Sequence, residues 1–374
     1  MGKIFTAGLT GGPCGGKSSV LAIIRQRVED MGWIVYEVQE AATHLMEHGM
    51  KLKEAVRRKD WDRVIKYQRE ILRWSYNEYL VMCNCAKADG GNAFILVDRP
   101  LCDTRAYLPE GEYGDAIYCE LLGEIGLTEA KAAGLYDIVV LMRTAADGAE
   151  EFYTLANNAA RDETPEEARY LDKRIENAYL GHNHPRIIEN PAEGGFEQKK
   201  ANALREIAHA MGIPEPQEIE RKYLIHLPEH PLFKVPVRAV DIEQMYLVAP
   251  PGEEMRIRRR GLGNSFTYYQ TRKYSVRPGV RIEIEEAIDW FHYLQLSRER
   301  DPARAIIRKT RFCIFSNNRY FEIDAFREPT KLALMEVEVK SMDEQVRLPE
   351  FIKVIEEVTG NIEFSNSTIA LRAA

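Results

Sequence analysis

Two sets of residues in this 374-residue chain have the types and spacing to do chemistry. The first is compact. Gly11, Gly12, Gly15, Gly16, Lys17, Ser18 and Ser19 fit the pattern G-x-x-x-x-G-K-S. Glycines at this spacing let backbone N–H groups turn inward around phosphate oxygens, and a following helix adds the partial positive charge of its N-terminus. Lys17 would reach the β- and γ-phosphates of ATP or GTP, and the Ser18 hydroxyl would coordinate Mg²⁺. Asp98 ends the apolar run Phe94-Ile95-Leu96-Val97, where an acid can hold that metal directly or through water. An aspartate at a strand end also serves as a turn or cap residue, so the position by itself leaves both roles open.

The second set is dispersed. Charged residues recur two apart inside segments that read as strands: Glu218-Ile219-Glu220-Arg221-Lys222, Arg256-Ile257-Arg258, Lys309-Thr310-Arg311, Glu322-Ile323-Asp324 and Glu336-Val337-Glu338. Strand side chains alternate faces, so each triplet sets its charges on one side, where a core-facing side would be apolar. Such a face is either solvated, with cross-strand ion pairs, or it lines a site for metal and a polyanion. In the second case Lys222, Arg256, Arg258, Lys273, Lys309 and Arg311 would replace the water shell of a triphosphate, each arginine fork taking two oxygens. Glu218, Glu220, Asp324, Glu336 and Glu338 would supply the hard oxygen ligands that Mg²⁺ or Mn²⁺ prefers. Burying one sign of charge would be prohibitive, whereas mixed signs can be tolerated. Arg259 and Arg260 interrupt the alternation, and Arg259 is expected to face solvent.

These residues need elements to position them. Apolar strands are predicted over 3–9, 33–38, 92–97 and 137–142. Val20, Ile23, Ile24 and Val28 form a helical stripe after the glycine loop, and a second helical stretch, in more than one piece, runs from about 40 to 88. Strands alternating with helices imply a mostly parallel sheet covered on both faces. Residues 147–174 are polar and helix-prone, and a helix over 197–211 closes the first domain. Gly212-Ile213-Pro214-Glu215-Pro216 then punctuates the chain, and the periodicity turns strand-like. The division expected is 1–212 and 213–374: an α/β P-loop domain, then an antiparallel β-barrel tunnel domain with helices.

Length supports two domains, and a net charge of −7 argues against general nucleic-acid binding. No apolar run approaches the length of a membrane span, and the N-terminus lacks the pattern of a signal peptide. None of the six cysteines forms a C-x-x-C pair, so neither a zinc site nor a redox motif is indicated. A reducing, cytoplasmic setting is expected.

The first domain resembles the kinase-like P-loop domain of the nicotinamide riboside kinase type. The likeness rests on the glycine loop, Val38-Gln39-Glu40-Ala41-Ala42, Val97-Asp98-Arg99, the segment from Phe152-Tyr153 to Arg161, and His182-Asn183-His184-Pro185. It implies that Glu40 contacts the phosphoryl acceptor or acts as base beside Lys17 and Asp98, and that Arg161 and Arg169 sit in a lid. Gln39 departs from the proline common in such domains, and the acceptor stays unassigned.

The second domain resembles the CYTH, or triphosphate tunnel metalloenzyme, family. That likeness begins at the E-x-E-x-K segment from Glu218 to Lys222 and continues through the charged triplets in order. It implies metal-assisted hydrolysis of a triphosphate, with Glu218, Glu220 and Lys222 doing the catalytic work. Glu283 and Glu285 would either add to the metal ligands or orient the bases. The two likenesses together imply a phosphate-processing enzyme, with nucleotides and triphosphates as its partners. A metabolite kinase whose tunnel binds or trims the product, and a polyphosphate sensor with little turnover, are the alternatives.

Overall fold

The computed structural model describes residues 2–153, 163–213, 220–228, 233–250, 252–263, 265–277, 280–339 and 343–371. The chain divides into two compact units, Met1–Met211 and Gly212–Ala374.

In the first unit, β1 (Ile4–Thr10), β2 (Ile34–Val38), β3 (Ala93–Asp98), β4 (Ile138–Met142) and β5 (Pro185–Ile188) pair in parallel in the order β2-β3-β1-β4-β5. A parallel sheet covered on both faces needs near-continuous apolar strands. Ala93–Val97 and Ile138–Met142 are accordingly buried throughout. Phe5, Ala7 and Leu9 pack against Val20 and Ile24 of the helix Lys17–Asp30 and Ala203 and Ile207 of the helix Gly195–Ala210. Ile95, Val97, Val139 and Leu141 belong to a second cluster with Ile175 of the helix Pro165–Ala178.

The helical stretch after β2 resolves into Ala41–Glu47, Leu52–Arg57 and Trp61–Asp89. Gly49, at φ 106°, separates the first pair, and Asp60 caps the third through the Arg63 amide. The polar stretch before residue 174 yields the helix Pro165–Ala178, opened by a capping box between Thr164 and Glu167. Strand β5 was not expected, because four residues are too short to display a period.

Among the described residues the second unit forms a nine-stranded antiparallel sheet. Its strands are β6 (Glu220–His226), β7 (Val237–Leu247), β8 (Glu253–Leu262), β9 (Ser265–Arg277), β10 (Val280–Ile288), β11 (Ile307–Ser316), β12 (Arg319–Glu328), β13 (Ala333–Glu338) and β14 (Lys353–Glu357). They run in the order β10-β9-β8-β7-β11-β12-β13-β6-β14. One face is apolar: Tyr223, Ile225, Ile314, Phe321, Ile323, Met335 and Val337 pack with Phe233, Leu348, Phe351 and Ile352. On β8 and β9 the same role falls to Ile257 and Tyr268, covered by Tyr293 and Leu296 of the helix Trp290–Leu296. This apolar cluster lies on the face opposite the charged triplets, while Tyr246, Ile307, Phe326 and Leu334 form another on the same face as the triplets.

Candidate functional sites

The glycine loop joins β1, the central strand, to the helix Lys17–Asp30, at the carboxyl end of the sheet where open α/β folds bind ligands. Gly11 has φ 133° and Gly16 has φ 84°, left-handed values that side chains resist. A Cβ on Gly16 would stand 2.3 Å from the Phe196 ring, and one on Gly11 would stand 2.1 Å from the Met142 carbonyl oxygen. The loop can follow this path only with glycine at both places.

Lys17 is buried, and its Nζ donates to the carbonyls of Gly11 at 2.8 Å and Gly12 at 3.1 Å. Burial, with Arg99 close by, draws its ammonium down to about 8. Asp98 ends β3 beside it. Burial, reinforced by Glu40, pushes the Asp98 carboxyl up to about 6, and its Oδ1 is buried with no hydrogen-bond partner among the described residues. A buried carboxylate oxygen left over in this way is a position a hydrated divalent cation would satisfy. Ser18 is exposed in the first turn of the helix, as is Ser19.

Arg99 binds these parts together. Its guanidinium reaches Glu40 at 3.2 Å, Asp103 at 3.2 Å and the Gly11 carbonyl at 2.9 Å. Asp103 in turn accepts from Thr10 at 2.7 Å and from the Tyr179 hydroxyl at 2.6 Å. Burial opposes the charge on Glu40, but Arg99 and Lys17 outweigh it and hold the carboxyl below its usual range. Arg169 donates to the Ala146 carbonyl at 2.6 Å and pairs with Glu166 at 3.1 Å. Arg161 lies outside the described residues.

In the second unit the middle of the charged face is buried, while Glu220 and Glu338 at its end are exposed. Lys309 is 2% exposed and Asp324 is 1%, and Arg258, Arg260 and Arg311 are buried as well. Ladder register places Glu220 opposite Glu338, Lys222 opposite Glu336, Glu322 opposite Glu336, and Arg311 opposite Asp324. Lys222 Nζ meets Glu336 at 2.8 Å and Glu220 at 3.3 Å. Arg311 takes Asp324 at 2.7 Å and Glu336 at 3.3 Å, and also pairs with Glu322. Lys309 shares Asp324, whose carboxyl these two bases hold far below the usual range despite its burial. Arg258 pairs with Glu285 at 2.9 Å, and Thr271 donates to the same carboxylate at 3.0 Å.

The sheet is strongly curved. Six ladders separate Lys273 on β9 from Glu220 on β6, which in a flat sheet would span roughly 29 Å. Across that distance a side-chain charge would be screened away. Lys273 nonetheless eases the Glu220 carboxyl downward, against the larger upward effect of Glu336 and burial, in keeping with a sheet whose β9 and β6 curl toward each other. The acids on the charged face of β6, β12 and β13 are Glu220, Glu322, Asp324, Glu336 and Glu338. Arg256, Arg258, Arg260 and Lys273 fill β8 and β9. Between them β7 contributes Arg238 and the uncharged Val240, Ile242, Gln244 and Tyr246, and β11 contributes Lys309 and Arg311.

Arg260 corrects the expected break in alternation. Residues 256, 258 and 260 share one face, and Arg260 is buried. Arg259 points the other way, pairing with Glu243 at 3.0 Å. Glu322 is a further inward charge that the spacing offered and the site prediction omitted. Glu218 lies outside the described residues, and nothing is described of the Glu283 side chain.

Among the described residues, no group of three or more Asp, Glu, His or Cys side chains is gathered to hold a metal ion. The donor chemistry on β6 and β13 nevertheless fits one. Glu336, more than burial, raises the Glu220 carboxyl, so two carboxylates press on each other as they would around a shared hard cation.

Comparison with known proteins follows the two units. A family model described as an AAA domain matches residues 7–199. The chain belongs to the AAA-domain family. The AAA match spans the glycine loop, Asp98, the Pro165–Ala178 helix and Lys199. No curated protein matches the chain. Among solved structures, the hypothetical protein NE1496 is 29% identical over 42% of this chain and 100% of that one, with a TM-score of 0.32. The inorganic triphosphatase NE1496 is 30% identical over 41% of this chain and 95% of that one, with a TM-score of 0.30. A conserved hypothetical protein from Pyrococcus furiosus is 24% identical over 34% of this chain and 81% of that one, with a TM-score of 0.27. By sequence identity over nearly the whole triphosphatase, the chain at family level joins an AAA-type P-loop unit to a triphosphatase-like unit. No described helix is long and apolar enough to cross a membrane.

Proposed function

We propose that the protein is a two-site phosphate-processing enzyme. The C-terminal interior hydrolyses tripolyphosphate or a nucleoside triphosphate with Mg²⁺ or Mn²⁺. The P-loop binds ATP or GTP and passes a phosphoryl group to a small acceptor. The observation that carries this reading is the buried, mixed-sign network in which Lys309 and Arg311 share Asp324 and Arg311 also reaches Glu336.

In the C-terminal unit, Arg256, Arg258, Lys273, Lys309 and Arg311, with Arg260, would take the phosphate oxygens. Asp324 would fix Lys309 and Arg311 in place rather than meet metal alone, since both its oxygens already accept from these bases. Glu220 and Glu338, with Glu218 and Glu336, would hold the cation. That cation supplies Lewis-acid polarisation of a terminal phosphate and a more acidic bound water. Lys222 serves as a fixed cation, because Glu336 and Glu220 raise its pKa against the effect of burial.

In the N-terminal unit, Lys17 would neutralise the β- and γ-phosphates while Ser18 and Asp98 hold the metal. The Glu40–Arg99 pair beside the loop favours transfer to a bound acceptor over simple hydrolysis. A carboxylate kept charged there can orient a hydroxyl. Arg169, with Arg161, would close over the transferred group.

Phosphate release from tripolyphosphate in Mg²⁺ and in Mn²⁺, with Glu220→Gln and Lys17→Ala beside the wild type, tests this reading. Glu220→Gln is expected to lower release on the order of a thousandfold and to spare nucleotide binding at the P-loop. Lys17→Ala is expected to do the reverse. Unchanged release from Glu220→Gln sinks the C-terminal assignment.

A further inference from the structure

The Gly11–Gly12 peptide is gripped at both poles. Its carbonyl oxygen accepts from Lys17 Nζ at 2.8 Å and from Arg99 at 2.9 Å. Its N–H, on Gly12, donates to Asp172 Oδ1 at 2.7 Å. Two cations on the oxygen and a carboxylate on the amide set the dipole of one peptide plane, in a loop whose glycines leave that plane otherwise free to rotate.

We propose that Asp172 is a positioning residue of the phosphate loop, one that fixes the plane of this peptide and so the place where Lys17 is presented. Asp172 lies on the helix Pro165–Ala178, 160 residues away in sequence, and is buried. Its Oδ1 also accepts from the Thr144 amide at 3.3 Å, and its Oδ2 accepts from Arg143 at 2.7 Å. Arg143 is held by Glu176 at 2.9 Å and Glu189 at 3.1 Å, and its carbonyl by Lys199. Asp172 is therefore anchored by charge before it reaches the loop. A Cβ on Gly12 would stand 2.7 Å from Asp172 Oδ1, so glycine at this position makes room for the carboxylate. Arg169, one turn earlier on the same helix, grips the Ala146 carbonyl. A shift of this helix is thus passed to the loop peptide.

The inference rests on reading the loop as a nucleotide site, and the test separates the two. Mg-ADP, a diphosphate, is titrated calorimetrically into the full-length protein, with thermal melting of each variant alongside. Lys17→Ala reports on the reading itself: if it binds as the wild type does, the nucleotide site is wrong. Given that loss, Asp172→Ala is expected to weaken Mg-ADP by about tenfold or more, the cost of orphaning a charged hydrogen bond. Asp172→Asn keeps an oxygen for the Gly12 amide while losing the charge opposite Arg143. It should melt early yet bind within about threefold of wild type, a split that a purely structural role would not produce. Gly12→Ala should weaken binding alone but add little to Asp172→Ala, because both disturb one contact. The proposal is overturned if folded Asp172→Ala binds Mg-ADP as tightly as wild type, or if the Gly12 and Asp172 losses multiply independently. Should Asp172→Ala fail to fold, Asp172→Asn and Gly12→Ala decide. Asp172→Asn weakening binding in step with its melting, or Gly12→Ala binding like wild type, would overturn it.

Discussion

The two units offer a polyanion opposite kinds of receptor. The P-loop presents backbone: one contiguous run of residues, glycine where a Cβ cannot fit, and a single buried lysine. The C-terminal interior presents side chains, gathered from strands that are distant in sequence and held in a network of buried ion pairs. The first is defined by shape and is vulnerable to an added methyl group. The second is defined by charge balance and is vulnerable to a missing partner.

The contrast can be broken most sharply at Asp324. Truncating it to alanine would leave Lys309 and Arg311 buried without their shared carboxylate. This should cost about 3–5 kcal/mol in denaturant unfolding of the C-terminal unit. A loss below about 1 kcal/mol would mean that the pairs behave as surface pairs do. The same carboxylate predicts a pH dependence. Its folded pKa is depressed by Arg311 and Lys309, so its contribution is complete above the unfolded value near 4 and is lost as pH falls below it. Acid titration should therefore destabilise the wild type more steeply than Asp324→Asn below about pH 4.

Next in size is Gly16→Ala. The left-handed backbone alone costs about 1–2 kcal/mol, and the contact with Phe196 adds to it. The loss should appear in melting of the N-terminal unit and in nucleotide affinity, with triphosphate hydrolysis unaffected. Smallest is Arg221→Ala, on the apolar-side face of β6, where the pair with Glu357 is partly solvated. A change under about 1 kcal/mol is expected, against the large effect at Asp324. Equal effects at the two positions would erase the distinction between the faces.

How much of this was legible depends on how local the signal is. The glycine loop was readable because its chemistry is contiguous, and the strands feeding it because both-face burial leaves an unbroken apolar run. The charged alternation on β6, β8, β11, β12 and β13 was readable as a face. Whether that face was wet was not, because burial depends on strands six ladders apart curling toward each other. Arg260 was misjudged for the same reason: next to Arg259 it looks like a break, and only the register shows it continuing the row from Arg256 and Arg258. Asp172 and Arg143 carried no signal at all. They stand 160 and 131 residues after Gly12 in sequence, and an isolated acid on a polar helix resembles a solvated one.

The uneven spread of charge in the C-terminal unit has a further effect. Five acids outnumber Lys222 on β6, β12 and β13, four bases outnumber Glu285 on β8 to β10, and Arg238, Lys309 and Arg311 lie between on β7 and β11. Such a layer is a standing dipole, and a guest that is itself polar end to end experiences a torque in it before it touches any wall. Orientation is then imposed by the field of the empty protein, so a triphosphate carrying an organic group at one end would be admitted in one sense and resisted in the other.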